Sequence, residues 1–327
     1  MLILSDRPIA TVIYRISRIA MTMDASDAHL ESVLEELNER VNELEGNGSP
    51  EELMEAYVNR GNVLMMLGYR TSALDDLISA DDVAKEIESA GTEIDAGTFV
   101  KIHTTMGHIL FEMEQDPTEE YSLASTRLDS LKADSRHYDG RAIVRMCMDS
   151  VNDLLDYDDP DDSWPYIEKA SSSLRRKNDH WSSNRRFDIL NLKAEVQVWQ
   201  ERFTEAHESY SEAIDEGLRL MEEGSLEDPS DLAMTFAARA DIDSSIGLGD
   251  MQILDLKSAV TVLENLIDCG RLPDIDLVIG LHHSLAEALM KGGNIAEAEK
   301  HLMRAMELGV RGAGDYMRIQ TPSGKSS

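Results

Sequence analysis

One spacing constrains this chain more than any other. In three windows a small residue is followed 12 and then 19 positions later by alanine, with a large residue at position 16. Gly61 leads to Ala73, Leu77 and Ala80; Ala194 to Ala206, Tyr210 and Ala213; Ala286 to Ala298, Leu302 and Ala305. A fourth window fits with one departure, Ala240 leading to Gln252, Leu256 and Ala259. Two looser copies open at Gly107 and Met148, their second halves displaced by the insertions EMEQDPTEE and DYDDPDD. The anchors at 61, 107, 148, 194, 240 and 286 are separated by 46, 41, 46, 46 and 46 residues. Recurrence at a fixed period is the mark of an array in which each unit buries its apolar face against the next.

The unit is helical. Apolar residues recur at three- and four-residue steps, and no β-branched alternation marks a strand. Ser49-Pro50-Glu51-Glu52 sets a capping residue, a proline in the first turn and an acid where the helix dipole welcomes it. Asp116-Pro117-Thr118-Glu119 and Asp228-Pro229-Ser230-Asp231 repeat that logic. Ahead of the first unit, Leu30, Val33, Leu34, Leu37, Val41 and Leu44 predict a helix over 24–44, capping the array or forming a short dimer seam. Gly309 and then Gly312-Ala-Gly predict the end of the last helix. The expected layout is a leader over 1–22 that is poorly ordered or read from too early a start, a capping helix over 23–48, the repeats over 49–312 and a polar tail over 313–327.

The paired-helix spacing resembles the tetratricopeptide repeat, although the period exceeds that motif's usual ~34 residues. The resemblance implies an all-α, right-handed α-solenoid of six helical hairpins plus the N-terminal helix. It further implies a non-catalytic protein-binding scaffold whose first helices line a concave groove. Positions −6, −3, +1 and +4 from each anchor are then expected to face inward. They place Asn62, Lys101, His108, Arg145 and Asp149 in the front half, and Asp188, Asn191, Glu195, Asp241 and Glu287 in the back half. The clamp that such proteins use for acidic tails needs lysines and asparagines at set places. Asn62 matches, but Val58, Thr105, Ala142 and Met146 stand where the others belong.

Charge narrows the partner. Lys+Arg number 31 against 63 Asp+Glu, a net charge of −32, which repels nucleic acid and anionic membrane. The back-half acids point to a basic or amphipathic protein segment, bound by a scaffold or by a regulatory sensor module acting with a transcription or signalling partner. A homodimer through a terminal helix fits the same pattern. No run of 18 apolar residues exists, and the two cysteines, Cys147 and Cys269, form no paired motif; both suit a cytoplasmic protein. No catalytic constellation, cofactor motif or metal-ligand set is found. His103 and His108 are five apart, His282 and His283 face different ways, and the Asp156–Asp162 loop lacks the glycine and glutamate of a calcium loop. Arg175-Arg176-Lys177 with Arg185 and Arg186 is the one basic link, open to either ion pairing or binding.

Overall fold

The computed structural model describes residues 27–130, 140–157, 160–174, 179–271 and 273–320, with side chains from 29 to 310 within those spans. The leader over 1–22, Arg175-Arg176-Lys177 and the last seven residues lie outside them. The chain divides into two compact units, Met1–Ser173 and Leu174–Ser327.

The first unit holds α1 (Asp27–Asn47), α2 (Pro50–Met66), α3 (Arg70–Ser89), α4 (Ala96–Glu112), α5 (Thr118–Ser125), α6 (Gly140–Asp156) and α7 (Trp164–Leu174). The second holds α8 (His180–Trp199), α9 (Phe203–Glu222), α10 (Pro229–Ser245), α11 (Gly249–Asp268), α12 (Ile275–Lys291) and α13 (Ile295–Gln320). No strand occurs among the described residues. Helices pack as consecutive hairpins, α2 on α3, α4 on α5, α8 on α9, α10 on α11 and α12 on α13, and each hairpin of the second unit packs on the next. None of the described helices is long and apolar enough to cross a membrane.

The small residues sit where hairpin helices meet. A Cβ on Gly61 would lie 3.2 Å from the Ala73 carbonyl oxygen and 3.2 Å from Leu77 Cγ, so a larger residue would part α2 from α3. Ala73, Leu77 and Ala80 are fully buried, as are Ala194, Ala206, Ala213, Ala240, Ala259 and Ala286; Ala298 and Ala305 are nearly so. Gly107 serves the same end differently: the Tyr121 ring of α5 lies flat against it, and a Cβ there would come within 2.9 Å of Cζ. The insertion brings an aromatic ring to α4, and glycine makes room for it.

The burial pattern moves one register. Among the buried apolar residues of α6 are Ile143, Val144, Cys147, Val151 and Leu154. Their spacing matches Leu232, Ala233, Phe236, Ala240 and Asp243 of α10 if Val151, not Met148, is the anchor. The DYDDPDD insertion hides this three-residue shift. Arg145 stays at an inward position after the shift, and Asp149 leaves that register.

Two other expectations change. α13 does not stop at Gly309 but runs on to Gln320. Gly309 has no positive φ, and a Cβ there would meet only Ile279 Cδ1, at 3.8 Å. A glycine inside a packed helix costs only ~1 kcal/mol, too little to end it. The apolar seam of α1, in turn, is used within the chain: Leu30, Leu37, Val41 and Leu44 are buried, and α1 packs on α2. That seam is not available for a dimer.

Every described hairpin turn is built alike. Seven residues past the anchors stand Gly68, Gly247 and Gly293, with φ of 79°, 82° and 81°, and Glu114 and Glu201, with φ of 58° and 56°. The next residue's N–H returns to a carbonyl five residues earlier, as in Tyr69 to Leu64 and Leu248 to Asp243, a Schellman closure. Left-handed backbone costs a non-glycine residue ~1 kcal/mol. Glu201→Gly is therefore expected to stabilise the second unit by about 0.5–1 kcal/mol, glycine's greater unfolded-state freedom offsetting part of the gain. A urea midpoint equal to or below that of the parent chain would contradict this.

Candidate binding faces

In the first unit, two of the inward residues, Asn62 and His108, are engaged in holding the fold. Asn62 Nδ2 donates to the Val58 carbonyl of its own helix at 2.6 Å. His108 Nδ1 lies 2.8 Å from Asp153 Oδ2, and the same oxygen accepts from the Tyr121 hydroxyl at 2.5 Å. Asp153 is buried, and its hydrogen bond raises the His108 pKa. That imidazole is thus a strut between α4 and α6. Lys101 is half-buried, and burial lowers its pKa despite the charge of Glu55. Arg145 and Asp149 keep exposed surface, but crowding by neighbouring protein atoms desolvates the Asp149 carboxyl and, with the Asp153 charge, raises its pKa. These residues form no single cluster of free groups.

In the second unit, two of the inward acids, Glu195 and Asp241, act on one common group. Glu195 on α8 and Asp241 on α10 are exposed, and both charges act on the Tyr210 hydroxyl of α9, raising its pKa beyond what burial alone does. Desolvation holds the Asp241 carboxyl above its usual range. Asp188, seven residues before Glu195 on α8, is pushed up to about 6 by burial, even with Arg185 Nη1 3.1 Å from it; Asp231 and Glu227 add to the shift. Glu287 on α12 is exposed and meets Lys291 at 2.8 Å, which lowers its pKa. Asn191 acts as a tie: its Oδ1 accepts from Thr235 Oγ1 at 2.9 Å, linking α8 to α10.

Arg185 and Arg186 prove to be ion-paired. Arg185 meets Asp188 and Glu227 and lies over the Trp181 ring, and Arg186 reaches Glu216 at 3.1 Å. His103 and His282 are likewise structural. His103 is buried between Asp81 and Glu120; burial opposes its charge, but the two carboxylates outweigh that and raise its pKa. His282 is buried and His283 exposed, so the two do point to different faces. His282 Nε2 lies 3.0 Å from Glu264 and its Nδ1 lies 3.0 Å from His301 Nδ1. Beside them is an open cleft of about 570 Å³, lined by Asn294, Glu297, Lys300 and Arg304 among others. Among the described residues no group of three His, Cys, Asp or Glu is placed to hold a metal.

Two buried ion pairs escaped sequence reasoning. Arg60 grips Asp76 with bonds of 2.7 and 2.6 Å, and Arg239 grips Asp255 with bonds of 2.7 and 2.8 Å. In each case the arginine precedes the anchor and the aspartate lies 16 residues on. That recurrence was visible, but it was hidden among 63 acids.

No protein-family description matches the chain, and no curated protein is similar to it. Among solved structures, the apo form of RapI is similar at 14% identity with a TM-score of 0.58, over 86% of this chain and 71% of that one. Aspartyl phosphate phosphatase F from Bacillus subtilis is similar at 13% identity with a TM-score of 0.52, over 87% of this chain and 70% of that one. The fold is tetratricopeptide-type. The 46-residue step comes from this chain's own sequence, and it accommodates helices of 17 and 20 residues in the fourth to sixth hairpins' first and second arms, apart from the longer α8 and α13.

Proposed function

We propose that this chain is a non-catalytic protein-interaction adaptor that binds a basic or amphipathic peptide segment along the α8, α10 and α12 face of its second unit. The observation that carries the reading is the convergence of Glu195 and Asp241 on Tyr210, with Asp188 and Asp241 held above the usual carboxylate range. The Asp188 and Asp241 carboxyls lack full solvation, and a Lys or Arg laid beside them offsets that cost. The tetratricopeptide-type fold supports the reading, because such hairpins expose a row of parallel first helices. Two free cysteines, buried Cys147 and exposed Cys269, suit work in the reducing cytoplasm.

The test is titration with an Arg/Lys-rich model peptide. Glu195→Lys with Asp241→Lys is expected to weaken binding about ten- to hundredfold and flatten its salt dependence. Unchanged affinity and salt slope would sink the proposal. A pH series adds a second readout. Burial pushes the Asp188 carboxyl up to about 6, and a bound cation favours its ionised form, so binding releases a proton. Affinity is therefore expected to rise between about pH 5 and 7, and Asp188→Asn to remove that rise.

A second reading is a regulatory sensor module acting with a transcription or signalling partner. It draws on the likeness to a structure described as an aspartyl phosphate phosphatase. Co-purification with a DNA-binding or kinase protein encoded beside this gene would favour it.

A further inference from the structure

α13 carries an apolar face that its counterparts keep covered. Twenty residues past the anchors, Ile214 of α9 and Val260 of α11 are 3% and 7% exposed, because the following hairpin lies over them. Met306 holds the same place in α13 and is 70% exposed, flanked by Met303 at 62% and Val310 at 74%. These three are spaced by three and four residues, and Ala313 and Met317 continue that spacing in the sequence. Such a stripe lets one helix lie along another at a shallow angle. The helix is long enough for this: its 26 residues span about 39 Å.

Charge says what lies there. In a chain of net charge −32, α13 is neutral: Glu297, Glu299, Glu307 and Asp315 balance Lys300, Arg304, Arg311 and Arg318. A second α13 is therefore not repelled, whereas most of this surface repels a second copy. The flanks are also self-complementary. If two copies of α13 run antiparallel with Met303 of each beside Met306 of the other, Lys300 comes near Glu307 of the partner subunit, twice about one axis. Both side chains are exposed, and among the described residues Glu307 meets Arg304 at 3.4 Å on its own helix. Methionines suit such a contact because they adapt to the facing surface.

We propose that α13 is the seat of an isologous, antiparallel homodimer centred on Met303 and Met306. An isologous contact closes on itself, giving a dimer and no larger assembly. The proposal does not depend on the peptide-binding reading, since it uses a different helix and a different chemistry.

Sedimentation of the full chain tests it. The parent is expected to show twice the chain mass at high concentration. Met306→Glu should return it to the chain mass with its helical circular dichroism unchanged, since the residue is exposed. Lys300→Glu should weaken the dimer about tenfold, by losing two exposed pairs and facing like charges. Adding Glu307→Lys to that variant should restore it. A monomeric parent at every soluble concentration, a dimer indifferent to Met306→Glu, or a charge swap that fails to rescue would each overturn the proposal.

Discussion

Arg239→Ala is expected to destabilise the second unit by about 3–5 kcal/mol. The guanidinium forks onto both oxygens of Asp255, which is 1% exposed, and its free arm donates to Ser211 Oγ at 2.9 Å. One side chain thus joins α10 to α11 and touches α9. Removing it leaves a carboxylate in the interior with no counter-charge, and that stranded charge, more than the lost contact, sets the cost. Arg239→Met combined with Asp255→Leu should therefore lose much less than Arg239→Ala alone. Arg60 repeats the design in the first unit: its fork holds Asp76, and its remaining arm reaches back to Asn38 of α1. Urea unfolding followed by circular dichroism measures both. A loss below ~1 kcal/mol for Arg239→Ala would mean that water reaches Asp255.

What the sequence disclosed and what it hid follow from the same physics. Close helix pairing forbids bulk, so Gly61, Ala73 and Ala80 and their recurrences stand out as a pattern of small residues. Capping demands an oxygen at one place, so Ser49, Asp116 and Asp228 were legible, and each accepts a backbone N–H in the structure. Where an insertion breaks the count, as before α7, the anchor slips by three residues without any local sign. The inward positions were harder for another reason. The face that would meet a partner also has to tie neighbouring first helices together, and His108 and Asn191 do that work through Asp153 and Thr235. Counting along a helix finds the face, but it cannot separate a residue that looks outward from one that is bonded to the next helix.

Asp243 shows where the repeat logic is broken, and Asp243→Leu is expected to stabilise the chain by about 1–3 kcal/mol. Three residues past the anchors stand Leu64, Leu110, Leu154, Gln197, Asp243 and Leu289, with Val151 as the third anchor. Leucine stands there in four of the six, buried at Leu64, Leu154 and Leu289. Asp243 is fully buried, and neither of its oxygens has a hydrogen bond. His207 Nε2 lies 3.2 Å from Oδ1 but without hydrogen-bonding geometry. Desolvation raises the Asp243 pKa, the charge of Asp255 adds to that, and His207 and Arg239 offset only part of it. Exchanging a buried carboxylate whose charge is only partly offset for an apolar side chain of similar reach gains stability. The sign with pH follows from the raised pKa. A carboxyl that holds its proton more tightly when folded favours the fold below its unfolded pKa, and that contribution is lost as pH rises through the folded value. The advantage of Asp243→Leu should thus be smallest in acid and grow toward neutral pH. Thermal melts at two pH values decide it. A variant no more stable than its parent at neutral pH would show that Asp243 is better satisfied by His207 than its geometry indicates.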